Sequence, residues 1–173
     1  NLLEVIETLD IDPDDYDTEE YNNLCNTLGR EPNPEEIAKV INKGDIQVTY
    51  RAETEDENAE YIWPFIIGKK LGQDCIYASN KGFDDSYAII YADVTLKAGQ
   101  ALGFDYLVSS ERYSDIMYVI VNDEDIYQIS GVGSEEKWSS CYPCVAEEDG
   151  VYELALCYLK DGDTNEGEDT VYI

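Results

Sequence analysis

At 173 residues the chain is long enough for one ordinary domain with a modest accessory piece. Asp and Glu number 39 against 11 Lys and Arg, a net charge of −28, so nucleic-acid binding is excluded and no direct membrane insertion is expected. His is absent, which removes the commonest general base and with it Ser-His-Asp, Cys-His and His-based zinc chemistry.

Residues 1–44 read as a short helical segment. Leu2, Leu3, Val5, Ile6 and Leu9 form an apolar stretch, and Asp10–Asp17 with Pro13 makes an acidic turn. Thr18–Leu28 places Tyr21, Leu24, Cys25 and Leu28 at helical spacing, with Gly29 as the stop. Asn33-Pro34-Glu35-Glu36 has the chemistry of a helix start: Asn33 caps, Pro34 suits the first turn and Glu36 completes a capping box. Ile37, Val40 and Ile41 give this helix its apolar face, and Gly44 ends it.

From Asp45 the period changes to two. Ile46, Val48 and Tyr50 alternate, which predicts a strand over 45–52, and Glu53–Glu60 follows as an acidic linker. Apolar runs then recur at Tyr61–Ile67, Cys75–Ala78, Tyr87–Leu96, Ala101–Ser109, Ile116–Val121, Ile126–Ser130, Trp138–Val145, Val151–Leu159 and Thr170–Ile173. Many short strands separated by Gly, Asn and Asp turns mean a sandwich or barrel. Fifteen Tyr push the composition the same way. The chain thus divides into a helical segment, 1–44, read as the tail of a preceding domain, and a mainly β domain, 45–173. Its abrupt start at Asn1 reads as a segment of a longer protein.

Five Cys occur. Cys141-Tyr-Pro-Cys144 is a CxxC set in β-like sequence, with no second CxxC. Buried structural thiols, one disulfide among Cys75, Cys141, Cys144 and Cys157, or a zinc site recruiting Cys75 and Cys157 all stay open.

Several motifs follow one another in order: Tyr61-Ile-Trp63-Pro64, Ala78-Ser-Asn80-Lys-Gly82, Leu96-Lys-Ala-Gly99 running into Phe104-Asp105-Tyr106, Tyr118-Val-Ile-Val-Asn122, Trp138, and Tyr158-Leu-Lys160-Asp161 before Gly167-Glu-Asp169. This order resembles the MAM-like jelly-roll modules of bacterial surface proteins, of the cleaved-adhesin and choice-of-anchor type, over about residues 45–173. The resemblance implies an antiparallel jelly-roll β-sandwich in an extracellular or cell-surface multidomain protein. It also implies adhesive or carbohydrate-directed roles, and a structural calcium joining a late loop to an early one, with Asp169, Glu60 and Asp161 as contributors.

The residues support a cation site independently. Asp161-Gly-Asp163-Thr-Asn165-Glu166-Gly167-Glu168-Asp169 puts many oxygens within nine positions, and a hard cation needs 6–8. Asp161, Asp163 and Asn165 alternate as an EF-hand opens, but Glu166 stands where Gly belongs and Tyr172 where the closing Glu belongs. Asp10-Ile-Asp12-Pro-Asp14-Asp15 fails that test more clearly. Asp84-Asp85-Ser86 is a polar loop that either lines a ligand edge or forms an Asx-rich turn. Among the aromatics, Trp63 reads as core, whereas Trp138, Tyr113 and Tyr142 are candidate sugar platforms; the polar neighbours of Trp138 favour it for exposure, and packing in the core or at a sheet edge is the stronger reading beside the sugar platform. The expected function is a non-catalytic binding or adhesion module for a glycan or host surface protein, with structural calcium. The alternative is a spacer that positions neighbouring domains.

Overall fold

The structure, a computed structural model, describes residues 48–51, 62–131, 136–162 and 164–173. The helical segment 1–44 and the boundary beside it lie outside these residues. The described chain is all β, with ten strands: β1 (Val48–Arg51), β2 (Ile62–Lys70), β3 (Gln73–Ala78), β4 (Tyr87–Leu96), β5 (Ala101–Ser109), β6 (Ile116–Val121), β7 (Glu124–Ile129), β8 (Ser139–Val145), β9 (Gly150–Leu159) and β10 (Thr170–Tyr172).

Two antiparallel sheets result. In the first the order is β7-β6-β9-β4, and β1 pairs with the far edge of β4. In the second it is β2-β3-β10-β5-β8. β2 joins the two. Ile62, Trp63 and Pro64 run parallel to Tyr87, Ala88 and Ile89 of β4, whereas Phe65–Lys70 pair antiparallel with β3. Pro64 sits where the strand changes partners. Having no N–H, proline breaks no ladder at such a corner.

Period-two burial puts one apolar core between the sheets. β4 contributes Ala88, Ile90, Ala92, Val94 and Leu96; β9 contributes Leu154, Leu156 and Tyr158; the second sheet contributes Ile76, Leu102 and Val171. Trp63 belongs to this core, fully buried, with its ring 4.4 Å from that of Phe83. β4 is buried on both faces. Its alternate residues Tyr87, Ile89 and Tyr91 form a second buried cluster with Ile120, Ala155, Cys157 and Leu159, so the strand reads as a nearly unbroken apolar run. Burying each large apolar side chain contributes roughly 1.5–3 kcal/mol. A third, smaller cluster, Cys75, Leu107 and Tyr172, lies on the outer face of the second sheet.

Two hairpins set the register at their ends by the same backbone device. Lys70 pairs with Gln73 across Leu71 (φ 50°) and Gly72 (φ 79°). Val121 pairs with Glu124 across Asn122 (φ 48°) and Asp123 (φ 66°). Positive φ at both central residues is the type I′ signature, whose twist matches that of the strands. This explains why β2 runs on to Lys70 and β7 starts at Glu124, beyond the spans expected from apolar pattern alone. Asn and Asp tolerate this conformation; Leu does not. Leu71 is also half in solvent. Leu71→Asn is therefore expected to stabilise the protein by about 1 kcal/mol, a rise in Tm of about 2–4 °C in a thermal melt.

Candidate functional site

The connections β3–β4, β5–β6 and β9–β10 meet at one end of the molecule. Backbone bonds tie them: Asp85 N donates to Asp161 O at 2.9 Å, and Lys160 N to Ser86 O at 2.8 Å. Side chains add to this. Asp161 N donates to Asp115 Oδ1 at 3.1 Å, and Asn165 Nδ2 to Asp84 Oδ1 at 2.9 Å. Asp85 takes a left-handed backbone (φ 49°) and lays its carboxylate against Gly162, where an added Cβ would meet the carboxylate oxygens at 2.7 Å.

At the centre is Lys160, whose side chain is fully buried. Its Nζ donates to Asp169 Oδ2 at 2.7 Å and lies 3.6 Å from Asp84 Oδ1. Asp169, itself buried with φ 57°, also accepts Gly82 N at 2.7 Å through the same oxygen. Asp115 is 1% exposed, and burial pushes its carboxyl up to about 7 against the pull of the Asp161 N–H and the Lys160 charge. Raised in the fold, it holds its proton between about pH 4 and 7 where the unfolded chain has lost it, so its contribution to stability falls as pH rises through that window. Asp115 Oδ2, Asp169 Oδ1 and Asn80 Oδ1 are buried with no hydrogen-bond partner.

Asp161, Asn165 and Asp169, expected as metal ligands, and Asp84 and Asp85, expected as a separate ligand edge, therefore belong to one cluster. Glu60 and Asp163 lie outside the described residues. Among the described residues no three Asp, Glu or Cys side chains gather as a metal-holding group. The buried positive charge among these carboxylates is the Lys160 ammonium. Lys160 and Asp115 were not candidates from the sequence. A basic residue closing the apolar strand just before nine acid-rich positions was the available signal for Lys160; Asp115 had none, because only the fold brings it to the cluster.

The aromatic candidates separate. Trp138 is half-buried against the Cys75–Leu107–Tyr172 cluster. Its polar neighbours suggested exposure, but it stands just before β8 and extends an apolar row across the outer face of the second sheet. Above that row Lys70 Nζ lies 4.9 Å from the Tyr172 ring centroid and pairs with Glu168 at 2.6 Å and with Glu136. The Lys70 hydrogen bond holds the Glu168 carboxyl below its usual range. Tyr113 is 80% exposed with φ 72°.

Tyr142 on β8 is 65% exposed, and its ring lies against Gly103: a Cβ there would meet the ring carbons at 2.6 and 2.7 Å and push the ring away. The β5 register also shifts at this glycine. Asp105 and Ser140, two residues away on each strand, point outward and are bonded, with Ser140 Oγ donating to Asp105 Oδ1 at 2.6 Å.

Cys75, Cys141, Cys144 and Cys157 are free thiols. Burial raises all four pKa values, that of Cys157 to about 12, so none is poised as a thiolate. Among the described residues no helix is long and apolar enough to cross a membrane.

No protein-family model matches the sequence. A comparison with curated proteins finds no match. Among solved structures, the secreted serine protease VesC from Vibrio cholerae is similar at 14% identity and a TM-score of 0.47. The likeness covers 82% of this chain and 26% of that one, and at that degree it carries no argument about fold or activity.

Removing one partner from a buried ion pair leaves the other charge uncompensated and costs about 3–5 kcal/mol. Lys160→Met, which keeps most of the side-chain volume, should lower stability by about that much, read as a shift of the urea midpoint.

Proposed function

We propose that this protein is a non-catalytic β-sandwich module of a secreted or cell-surface protein, and that it binds a glycan at the Tyr142 patch. The observation that carries this reading is the Tyr142 ring: held against Gly103 and 65% in solvent, it is a rigid aromatic surface already paid for in the fold. Aromatic rings offer large contact area at low entropic cost. The Asp105–Ser140 pair beside it supplies acceptors and a donor for sugar hydroxyls.

The strand orders support a jelly roll. β3, β10, β5 and β8 are neighbours in one sheet and β4, β9, β6 and β7 in the other, so the chain crosses between layers at nearly every connection, as two interlocked Greek keys require. The carboxyl with its pKa raised to about 7, Asp115, is buried, 1% exposed, which favours a structural role over acid catalysis.

A calcium ion at the loop cluster is a second reading. It is favoured by the orphaned buried oxygens Asp169 Oδ1 and Asp115 Oδ2, with Glu60 and Asp163 as further contributors. Binding to the native state alone adds about 2.7 kcal/mol at a hundredfold excess over Kd. Calcium should then raise Tm and EDTA reverse it; superimposable melts would leave Lys160 as the cluster's cation.

Screened on a glycan array, the protein should retain at least one saccharide. Tyr142→Ala should weaken that binding about tenfold, roughly 1.4 kcal/mol, with little change in Tm. Gly103→Ala should do the same by displacing the ring. An array with no hits, or hits indifferent to both substitutions, would leave the spacer role instead.

A further inference from the structure

We propose that a second site on the same module reads acidic sugars: a cleft of about 290 Å³ between the end of β5 and the β7–β8 connection takes the carboxylate of a uronate-type residue. This rests on the glycan reading and extends it to the substrate class.

The cleft's charge is opposite to that of the protein. Arg112 and Lys137 both line it. Neither has a carboxylate partner among the described residues, although the chain carries 39 acids. Lys69, Lys70 and Lys160 are ion-paired, whereas Lys81 and Lys97 share with the cleft's two cations the lack of an ion pair among the described residues; what sets Arg112 and Lys137 apart is that both line one cleft.

Arg112 is also positioned. Its guanidinium lies 5.6 Å from the Tyr113 ring centroid, and its stem runs along Gly131 (φ 102°), 3.5–3.7 Å from where a Cβ would stand. A stacked, planar guanidinium with free N–H groups is suited to a bidentate carboxylate.

Two hydroxyls reinforce the polarity. Ser109 Oγ accepts Glu168 N at 2.8 Å and Ser130 Oγ accepts Tyr113 N at 3.0 Å. Each hydroxyl keeps its proton to donate, and neither proton has an acceptor among the described residues. The acid in the lining, Glu136, is paired with Lys70. Tyr106 and Ile129 give the cleft an apolar part for a ring's C–H face. Its volume falls at the lower edge of small-molecule sites, which run from about 300 Å³, so it suits one ring unit. Repulsion from the remaining charge is largely screened beyond about 8 Å at physiological ionic strength, so the local donors govern a bound carboxylate.

The test is calorimetric titration of the whole chain with oligosaccharides containing glucuronate or galacturonate, with their neutral counterparts, and with short peptides ending in a free carboxylate. The acidic oligosaccharide should bind at least tenfold tighter than the neutral one. Arg112→Gln and Lys137→Gln, both at exposed positions, should each abolish most of that preference without moving Tm. Equal affinity for acidic and neutral sugars, or a preference that survives both substitutions, overturns the inference. Peptides that bind as well as the uronate also overturn it, by moving the ligand class outside sugars. Neutral binding that depends on Tyr142 with no acidic preference sinks this inference alone, whereas no saccharide binding at all sinks the glycan reading with it.

Discussion

An ammonium sealed among carboxylates organises one end of this molecule. Lys160 is buried at the close of β9, and an isolated charge there would cost several kcal/mol. Asp169 at 2.7 Å and Asp84 at 3.6 Å offset that cost, and they come from the β9–β10 and β3–β4 connections. The third connection, β5–β6, enters through Asp115, which accepts the Asp161 N–H and whose carboxyl is pushed up to about 7 by burial. Three loops far apart in sequence therefore share one charge. Each must close correctly for the others to be satisfied, because an unpartnered buried charge is far more costly than an exposed one.

The wider charge balance gives this arrangement its weight. With a net charge of −28, two of the scarce cations act as internal ties between acids. Lys160 serves the loop cluster, and Lys70 bridges Glu136 and Glu168 above the Tyr172 ring. Arg112 and Lys137, without ion pairs among the described residues, line one cleft together.

The sheets supply the rigid frame on which these features sit. β4 and β9 are paired along ten residues, Tyr87–Leu96 against Gly150–Leu159, and both faces of this pair carry buried apolar side chains. Tyr142 stands on β8, the edge strand of the other sheet, with its ring against Gly103 of β5. A side chain held by a strand and a close glycine contact loses little further freedom on binding.

Strand positions were legible in the amino-acid order because period-two burial is written locally: eight of the apolar runs from Cys75 to Ile173 coincide closely with β3 to β10. Turn chemistry was local too, yet Leu71-Gly72 and Asn122-Asp123 lack the usual Asn-Gly signature, so the ends of β2 and β7 escaped the pattern. The acid-rich loop at Asp161–Asp169 was visible as a cluster of oxygens. Its partners were not, since Asp84, Asp115 and Lys160 meet only after the chain has crossed between layers. For Trp138 the sequence left exposure and sheet-edge packing both open, and the cross-strand row of Leu107 and Tyr172 buries half of it. Local sequence thus dictates the alternation of faces and the charge, both properties of neighbours along the chain. Which carboxylate meets which ammonium, and which ring stays in water, is settled by strand order, because those contacts join residues tens of positions apart.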